Sequence, residues 1–117
     1  MSIIPYLNSA GDPILVSNEY LKLIKDHRSI ILANIVPTTL GEKEMGFYRH
    51  RFHSFLLDRH ISFDYHLAIM LLNNFKSEFD FGKSRYDNGN QNITSVYIPL
   101  IETLNDYAKK IRNKSGN

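Results

Sequence analysis

The chain has 117 residues, of which 43% are hydrophobic and 22% charged, and its formal net charge is +2. This length and balance predict one globular domain with a modest hydrophobic core and exclude wholesale disorder. Cysteine is absent, which excludes disulfide scaffolds, thiol nucleophiles and cysteine-ligated metal sites. No apolar run approaches the length of a membrane span, so we expect no membrane partner.

Residues 1–13 are predicted to form an N-terminal arm, because proline and glycine interrupt regular structure there. The arm either packs on its own domain or docks on a neighbouring subunit. It has no basic stretch followed by an apolar one, as a signal peptide would, so we expect an intracellular or virion location. Its apolar residues are the candidate docking residues: Ile3, Ile4, Tyr6 and Leu7.

Three elements are predicted before the middle of the chain. Pro13–Val16 is compatible with a short strand, and Ser17 or Asn18 is expected to cap a helix over Asn18–His27. The β-branched run Ser29–Val36 predicts a strand, with a buried helical segment as the alternative.

Two amphipathic helices are predicted in the centre, over Thr39–His60 and Ser62–Phe75. Thr39 and Glu42 have the spacing of a capping box, and Ser62 is expected to cap the second helix. Apolar residues at three- and four-residue steps define the inner face of the first helix: Met45, Tyr48, Phe52, Phe55 and Leu56.

A polar loop over residues 76–92 separates these helices from the last part of the chain, with a short strand allowed at Phe79–Phe81. Ile93–Ile98 predicts a strand that a proline ends, and Leu100–Ile111 predicts the last helix.

The predicted fold is therefore a single α+β domain over residues 1–117, dominated by helices. Its small sheet of two or three short strands is expected to include Ile30–Val36 and Ile93–Ile98. An all-α bundle is the alternative, because short apolar runs fit either a strand or a buried helix.

A basic face is the first candidate functional site. Arginines on the first central helix could neutralise phosphate while Tyr48 or Phe52 stacks on bases, although both aromatics also fall on the predicted core face. The candidate contacts to nucleic acid or to a protein partner are Arg49, Arg51, His53, Arg59, Lys109, Lys110 and Arg112.

Metal binding and catalysis have weaker support. His50 and His53 lie one turn apart on the predicted helix, but a metal needs three or four converging ligands. No nucleophile elbow, phosphate-binding glycine loop, zinc-protease motif or calcium loop is present. We therefore expect no enzyme activity and no cofactor.

Residues 69–99 resemble the LysM-like segment of small structural proteins in tailed-phage baseplates. The matching pieces are an aliphatic helix ending in an Asn pair (Ile69–Phe75), an aromatic–acidic turn (Phe79–Phe81), and a strand that closes on Ile-Pro (Val96–Pro99). The resemblance implies a non-enzymatic tail or baseplate subunit packed among other subunits.

An assembly role also agrees with the aromatic content, because interfaces are enriched in Tyr, Phe, Met and Arg. The chain carries seven Tyr and seven Phe. The favoured function is thus a structural protein acting through protein–protein contacts in a homo- or hetero-oligomer. A small nucleic-acid-binding protein is the alternative.

Overall fold

The computed structural model describes residues 13–82 and 95–115, and most of this part of the chain is helical. Three 3₁₀ turns lie at Pro13–Val16, Phe63–Tyr65 and Glu78–Asp80. The prediction of a helix-dominated α+β fold with a short sheet is confirmed. The remaining elements are α1 (Asn18–Asp26), α2 (Arg28–Leu32), β1 (Thr38–Thr39), α3 (Glu42–Tyr48), α4 (Phe52–Asp58), α5 (His66–Leu72), β2 (Ser95–Val96) and α6 (Ile101–Ser115).

The candidate docking residues of the N-terminal arm lie outside the described residues, and so does the loop beyond Gly82. The arm, the loop and the single-domain organisation therefore stay predictions. Within residues 13–82 and 95–115, no helix has the length and hydropathy that crossing a membrane would require.

Among residues 13–82 and 95–115 the sheet has two strands, and one of them was predicted. Thr38 of β1 pairs antiparallel with Val96 of β2, which lies within the predicted strand Ile93–Ile98. The predicted strand Ile30–Val36 is wrong, because its first half belongs to α2. Ile31 alone is buried in this run, whereas Ile30 is 67% and Val36 85% exposed, so the alternating burial of a strand is absent.

Two other predicted short strands are also helical. Pro13–Val16 forms a 3₁₀ turn whose Ile14 carbonyl accepts the Ser17 amide. The allowed strand at Phe79–Phe81 is instead the 3₁₀ turn Glu78–Asp80, which the Ser77 hydroxyl caps by accepting the Phe79 amide. In both cases a short apolar run gave no periodicity with which to separate the alternatives.

The first central helix is interrupted rather than continuous. α3 ends at Tyr48 and α4 begins at Phe52, and between them His50 has a left-handed backbone with φ 63°. Its amide donates to the Phe81 carbonyl at 2.8 Å instead of to the preceding turn of α3. The segment has helical periodicity throughout, but this hydrogen bond to a residue about thirty positions further along the chain interrupts the helix.

The capping box predicted at Thr39 is wrong, whereas Ser62 occupies the predicted cap position without a side-chain cap bond. Thr39 lies in β1, where its hydroxyl bonds to that of Ser95 at 2.9 Å, and Gly41 is the residue that precedes α3. Ser62 makes no cap bond; its hydroxyl donates to the Asp64 carboxylate instead. The second central helix accordingly begins as a 3₁₀ turn and becomes α-helical only at His66.

α4 and α5 end in the same way, with a left-handed residue followed by a buried apolar one. His60 has φ 63° and Asn74 φ 60°. The amides of the next residues, Ile61 and Phe75, donate back to Leu56 and Met70, as in a Schellman motif. Both apolar residues are buried, so each cap also fixes the chain direction after its helix.

The core joins helices from both halves of the chain. α1 packs against α5 and α6, and the Tyr20 hydroxyl, fully buried, donates to the Leu104 carbonyl at 3.0 Å. The Ser17 hydroxyl caps α1 as predicted, because it accepts the Tyr20 amide. A second group of rings packs under α4 and consists of Phe52, Phe55, Phe75 and Phe81.

Candidate interaction surfaces

The three predicted contact arginines of the central region do not share one helix face. Arg49 and Arg51 lie in the break between α3 and α4, and Arg59 follows the end of α4. Arg49 donates to the Gly82 carbonyl. The Arg59 guanidinium lies 4.7 Å from the centre of the Phe55 ring. Arg51 lies over the Phe47 ring, so all three are engaged by their own chain.

The aromatics expected to stack on bases are not available for it. Phe52 is fully buried. Tyr48 is half-buried, and its hydroxyl donates to the Asp58 carboxylate at 2.6 Å, a bond that raises the Tyr48 pKa above its usual value. Phe47 is 57% exposed instead, and the Arg51 guanidinium lies over its ring at 5.0 Å. The helix break changes which aromatic faces solvent, and periodicity alone could not show this.

Phe47, His50, Arg51 and Phe79 form an exposed group, which we term the Phe47–Phe79 surface. His50 donates from Nδ1 to the Phe79 carbonyl at 2.5 Å, and their rings are 6.4 Å apart. Phe79 is 65% exposed. Arg51 also donates to the Phe47 carbonyl at 3.3 Å. These bonds hold the Arg51 cation beside the exposed Phe47 ring and the His50 imidazole beside the exposed Phe79 ring.

The predicted contact residues of the C-terminal helix lie on another part of the molecule. α6 packs against α1 and the first 3₁₀ turn, whereas α4 packs against α3 and the third 3₁₀ turn. Lys110 lies over the Tyr107 ring at 4.8 Å. Lys109 and Arg112 line a polar depression together with the acidic Glu102 and Asp106. These cations are interleaved with carboxylates and do not extend the Phe47–Phe79 surface.

The two histidines considered as metal ligands are directed to different partners. His50 is bound to Phe79, while His53 Nδ1 lies 2.9 Å from Nδ1 of His66. Within residues 13–82 and 95–115, no three or more His, Asp or Glu side chains are placed so as to hold a metal ion. The helical spacing behind the metal hypothesis is lost because His50 lies outside both helices.

His53 and His66 form a stacked imidazole pair at the start of α5. The rings are 12° from parallel, and Nε2 of the fully buried His66 donates to the Ile61 carbonyl at 2.9 Å. Neutral His66 then accepts at Nδ1 from His53. The pKa of His66 is lowered to about 4, mainly by burial and to a smaller extent by His53, against the opposing effects of the Ile61 carbonyl, Asp64 and Glu78. His66 is therefore a neutral structural histidine near pH 7.

An open apolar groove of about 560 Å³ lies between α1 and α5. We term it the α1–α5 groove. Its floor is aliphatic and aromatic, and its rim carries three cations with no carboxylate among the lining residues. The floor consists of Leu21, Leu67, Met70, Leu71 and Phe75, and the rim of Lys25, Arg28, Asn74 and Lys76.

Comparison with known proteins returned no match: no family model, no curated protein and no solved structure is similar to this chain. Functional interpretation therefore rests on the residues and their geometry.

Proposed function

We propose that this protein is a non-enzymatic structural subunit that assembles through protein–protein contacts. The Phe47–Phe79 surface is the observation that carries the proposal. It combines two exposed phenyl rings with an arginine, and aromatic residues and arginine are enriched where proteins meet.

The geometry favours binding because Arg51 and His50 have little conformational freedom left to lose. Arg51 lies on the Phe47 ring and bonds to its carbonyl, and His50 is bound to the carbonyl of Phe79. Burying each phenyl ring against a partner contributes roughly 1.5–3 kcal/mol. Arg51 and His50 are already ordered, so a partner that contacts them avoids the cost of immobilising a side chain, about 0.5–1.5 kcal/mol each.

A photo-cross-linking experiment in the cells that produce the protein tests this role. The photoreactive residue p-benzoylphenylalanine replaces Phe47 or Phe79, and Val36, which is also strongly exposed, serves as the control position. We expect a discrete protein adduct from positions 47 and 79 and none from position 36. Equal labelling at all three positions, or no adduct at any of them, would contradict the proposal.

A narrower proposal places this subunit in the tail or baseplate of a tailed phage, and the sequence resemblance over residues 69–99 supports it. Quantitative mass spectrometry of gradient-purified particles from the source of the sequence tests it. Peptides of this chain should follow the particle fraction in a fixed ratio to the tail proteins. Recovery only from the particle-free lysate would refute the narrower proposal and leave the assembly role to be judged by cross-linking.

Nucleic-acid binding is the second candidate, and the exposed Phe47 ring beside Arg51 favours it. This function requires an affinity for single-stranded oligonucleotide that falls steeply with salt and drops with Arg51→Ala. Under the assembly proposal, neither behaviour is expected. Nuclease-sensitive adducts at position 47 in the cross-linking experiment would favour the second candidate.

A further inference from the structure

The α1–α5 groove has the shape and charge of a second docking site. Leu67 is 43% exposed although it lies at the floor between two packed helices. Its neighbours Leu21 and Leu71 are half-buried, so the apolar surface is continuous across the groove. This site is separate from the Phe47–Phe79 surface, since the two share no residue.

The rim cations form no side-chain ion pair with described acidic residues, although the Asp80 carboxylate accepts the backbone amide of Lys76 at 2.8 Å. Lys25 and Lys76 form no ion pair within residues 13–82 and 95–115, and Asp26, next to Lys25 in sequence, is paired with Lys22 at 3.0 Å. Arg28 donates from Nε to the Leu72 carbonyl at 2.7 Å. That bond leaves the two terminal nitrogens of its guanidinium to bind a carboxylate.

We propose that the α1–α5 groove binds a short amphipathic helix of a partner protein, with leucine-like residues on one face and Asp or Glu beside them. A groove between two helices accepts the ridge of a third helix. α1 is nine residues long, about 13 Å, which suits two to three turns of a partner. The apolar face contacts Leu67, and the acidic residues pair with Lys25, Arg28 and Lys76.

A protein helix fits this site better than a lipid. The groove is concave, so a flat membrane surface would touch the exposed Leu67 and leave the buried Met70 and Phe75 without contact. It is also open to solvent along its length and does not enclose an acyl chain, as a fatty-acid site must. The charge on the rim therefore selects an acidic peptide, and membrane binding becomes an outcome of the test.

The test selects peptides on the full-length protein from an mRNA-display library of random peptides about 16 residues long. We expect the enriched peptides to carry large apolar residues at helical spacing together with Asp and Glu. The best peptide is then synthesised with a fluorophore, and its affinity is measured by anisotropy. Failure to enrich any peptide, or enrichment of peptides without acidic residues, would overturn the proposal.

Two matched pairs of variants locate the site. Leu67→Asn should weaken binding about three- to tenfold, because Leu67 is 43% exposed and only that fraction of its surface is left to bury. Leu57→Asn is the control, since Leu57 is 39% exposed on α4 outside the groove. Lys25→Glu should weaken binding about tenfold or more. Lys43→Glu, at an exposed lysine of α3, makes the same charge change away from the site.

Equal losses within either pair would overturn the proposal. Circular dichroism checks that each variant is folded. If Leu67→Asn does not fold, the surface variant Lys25→Glu still decides the test. Co-sedimentation with vesicles of anionic phosphatidylglycerol, abolished by Lys25→Glu, would assign the groove to membranes and reject a peptide partner. Self-association that only Leu67→Asn removes would assign it to a second copy of this chain.

Discussion

At the residue scale, the side-chain amide of Asn73 joins the end of α5 to the chain after β2. Its Nδ2 donates to the carbonyls of Ile69 at 2.8 Å and Tyr97 at 2.9 Å. Its Oδ1 accepts the Tyr97 amide at 2.7 Å. The side chain therefore pairs with Tyr97 as a neighbouring strand would. The Asn pair that carries the phage resemblance has two structural roles here, since Asn74 provides the left-handed cap of α5.

Replacing Asn73 tests the weight of this contact. Asn73→Ala should lower the free energy of unfolding by about 2–3 kcal/mol, because three partly buried hydrogen bonds are lost. Asn73→Asp should be at least as destabilising, because its carboxylate would face two carbonyl oxygens. Urea unfolding measures both. Asn34→Ala, at an exposed asparagine, should change stability by less than about 0.5 kcal/mol; a similar loss there would contradict the assignment.

The buried imidazole of His66 makes stability depend on pH. The unfolded chain takes up a proton at His66 below about pH 6.5, whereas the folded protein resists protonation down to about pH 4. The contribution of neutral His66 to the free energy of unfolding should therefore be fully present above pH 6.5 and decrease as the pH drops from 6.5 to 4. The loss from this group is at most about 3 kcal/mol, because water beside the partly exposed His53 screens part of the effect.

A non-titrating replacement isolates this effect. His66→Gln keeps a donor and an acceptor at position 66 but cannot take up a proton in this range, so the slope of stability against pH should flatten. His60→Gln, at an exposed histidine, should keep the slope of the unmodified protein. Equal slopes in the His66 variant and the unmodified protein, measured by thermal unfolding at several pH values, would contradict the role of His66.

At the element scale, the break between α3 and α4 depends on the chain around Gly82. Gly82 has φ +78°, and a Cβ added there would lie 2.7 Å from the Met45 sulfur and 3.0 Å from Cγ of Arg49. Because Gly82 lies so close to α3, its carbonyl accepts a hydrogen bond from Arg49, and the Phe81 carbonyl accepts the His50 amide. The helix break and the Phe47–Phe79 surface therefore depend on a residue outside the central helices.

Two glycine-to-alanine substitutions separate this contact from ordinary helix propensity. Gly82→Ala should destabilise the protein by about 2–4 kcal/mol, because it combines a left-handed backbone with a steric clash. Gly46→Ala, inside α3 with open space around it, should stabilise by up to about 1 kcal/mol. Thermal and urea unfolding measure both changes; destabilisation of similar size at the two positions would refute the packing argument.

The elements predicted correctly are those whose signals are local. α1 follows from its Ser17 cap and amphipathic pattern, and the last helix begins beside its proline. The break at His50 could not be predicted, because Tyr48–Arg51 contains no glycine or proline and the interruption comes from the distant Phe81 carbonyl. The strand prediction at Ile30–Val36 was wrong for a different reason. Its β-branched residues favour a strand, whereas the first part of the run is helical.

At the scale of the whole molecule, the candidate surfaces were only partly predictable. Arg51 was identified from the sequence, but its aromatic neighbour is Phe47 rather than Tyr48 or Phe52. The α1–α5 groove combines residues from two distant segments, and no spacing in the sequence indicates that they meet. Tertiary packing decides which side chains of an amphipathic segment stay exposed, so such surfaces require a structure.

Native mass spectrometry of untagged protein, purified at low salt from its natural source, tests the assembly role most directly. One chain has a mass of 13.6 kDa. We expect discrete complexes heavier than this, either integer multiples of the chain or complexes with another protein, and free of oligonucleotide. A species at the mass of a single chain, alone or carrying oligonucleotide, would contradict the account.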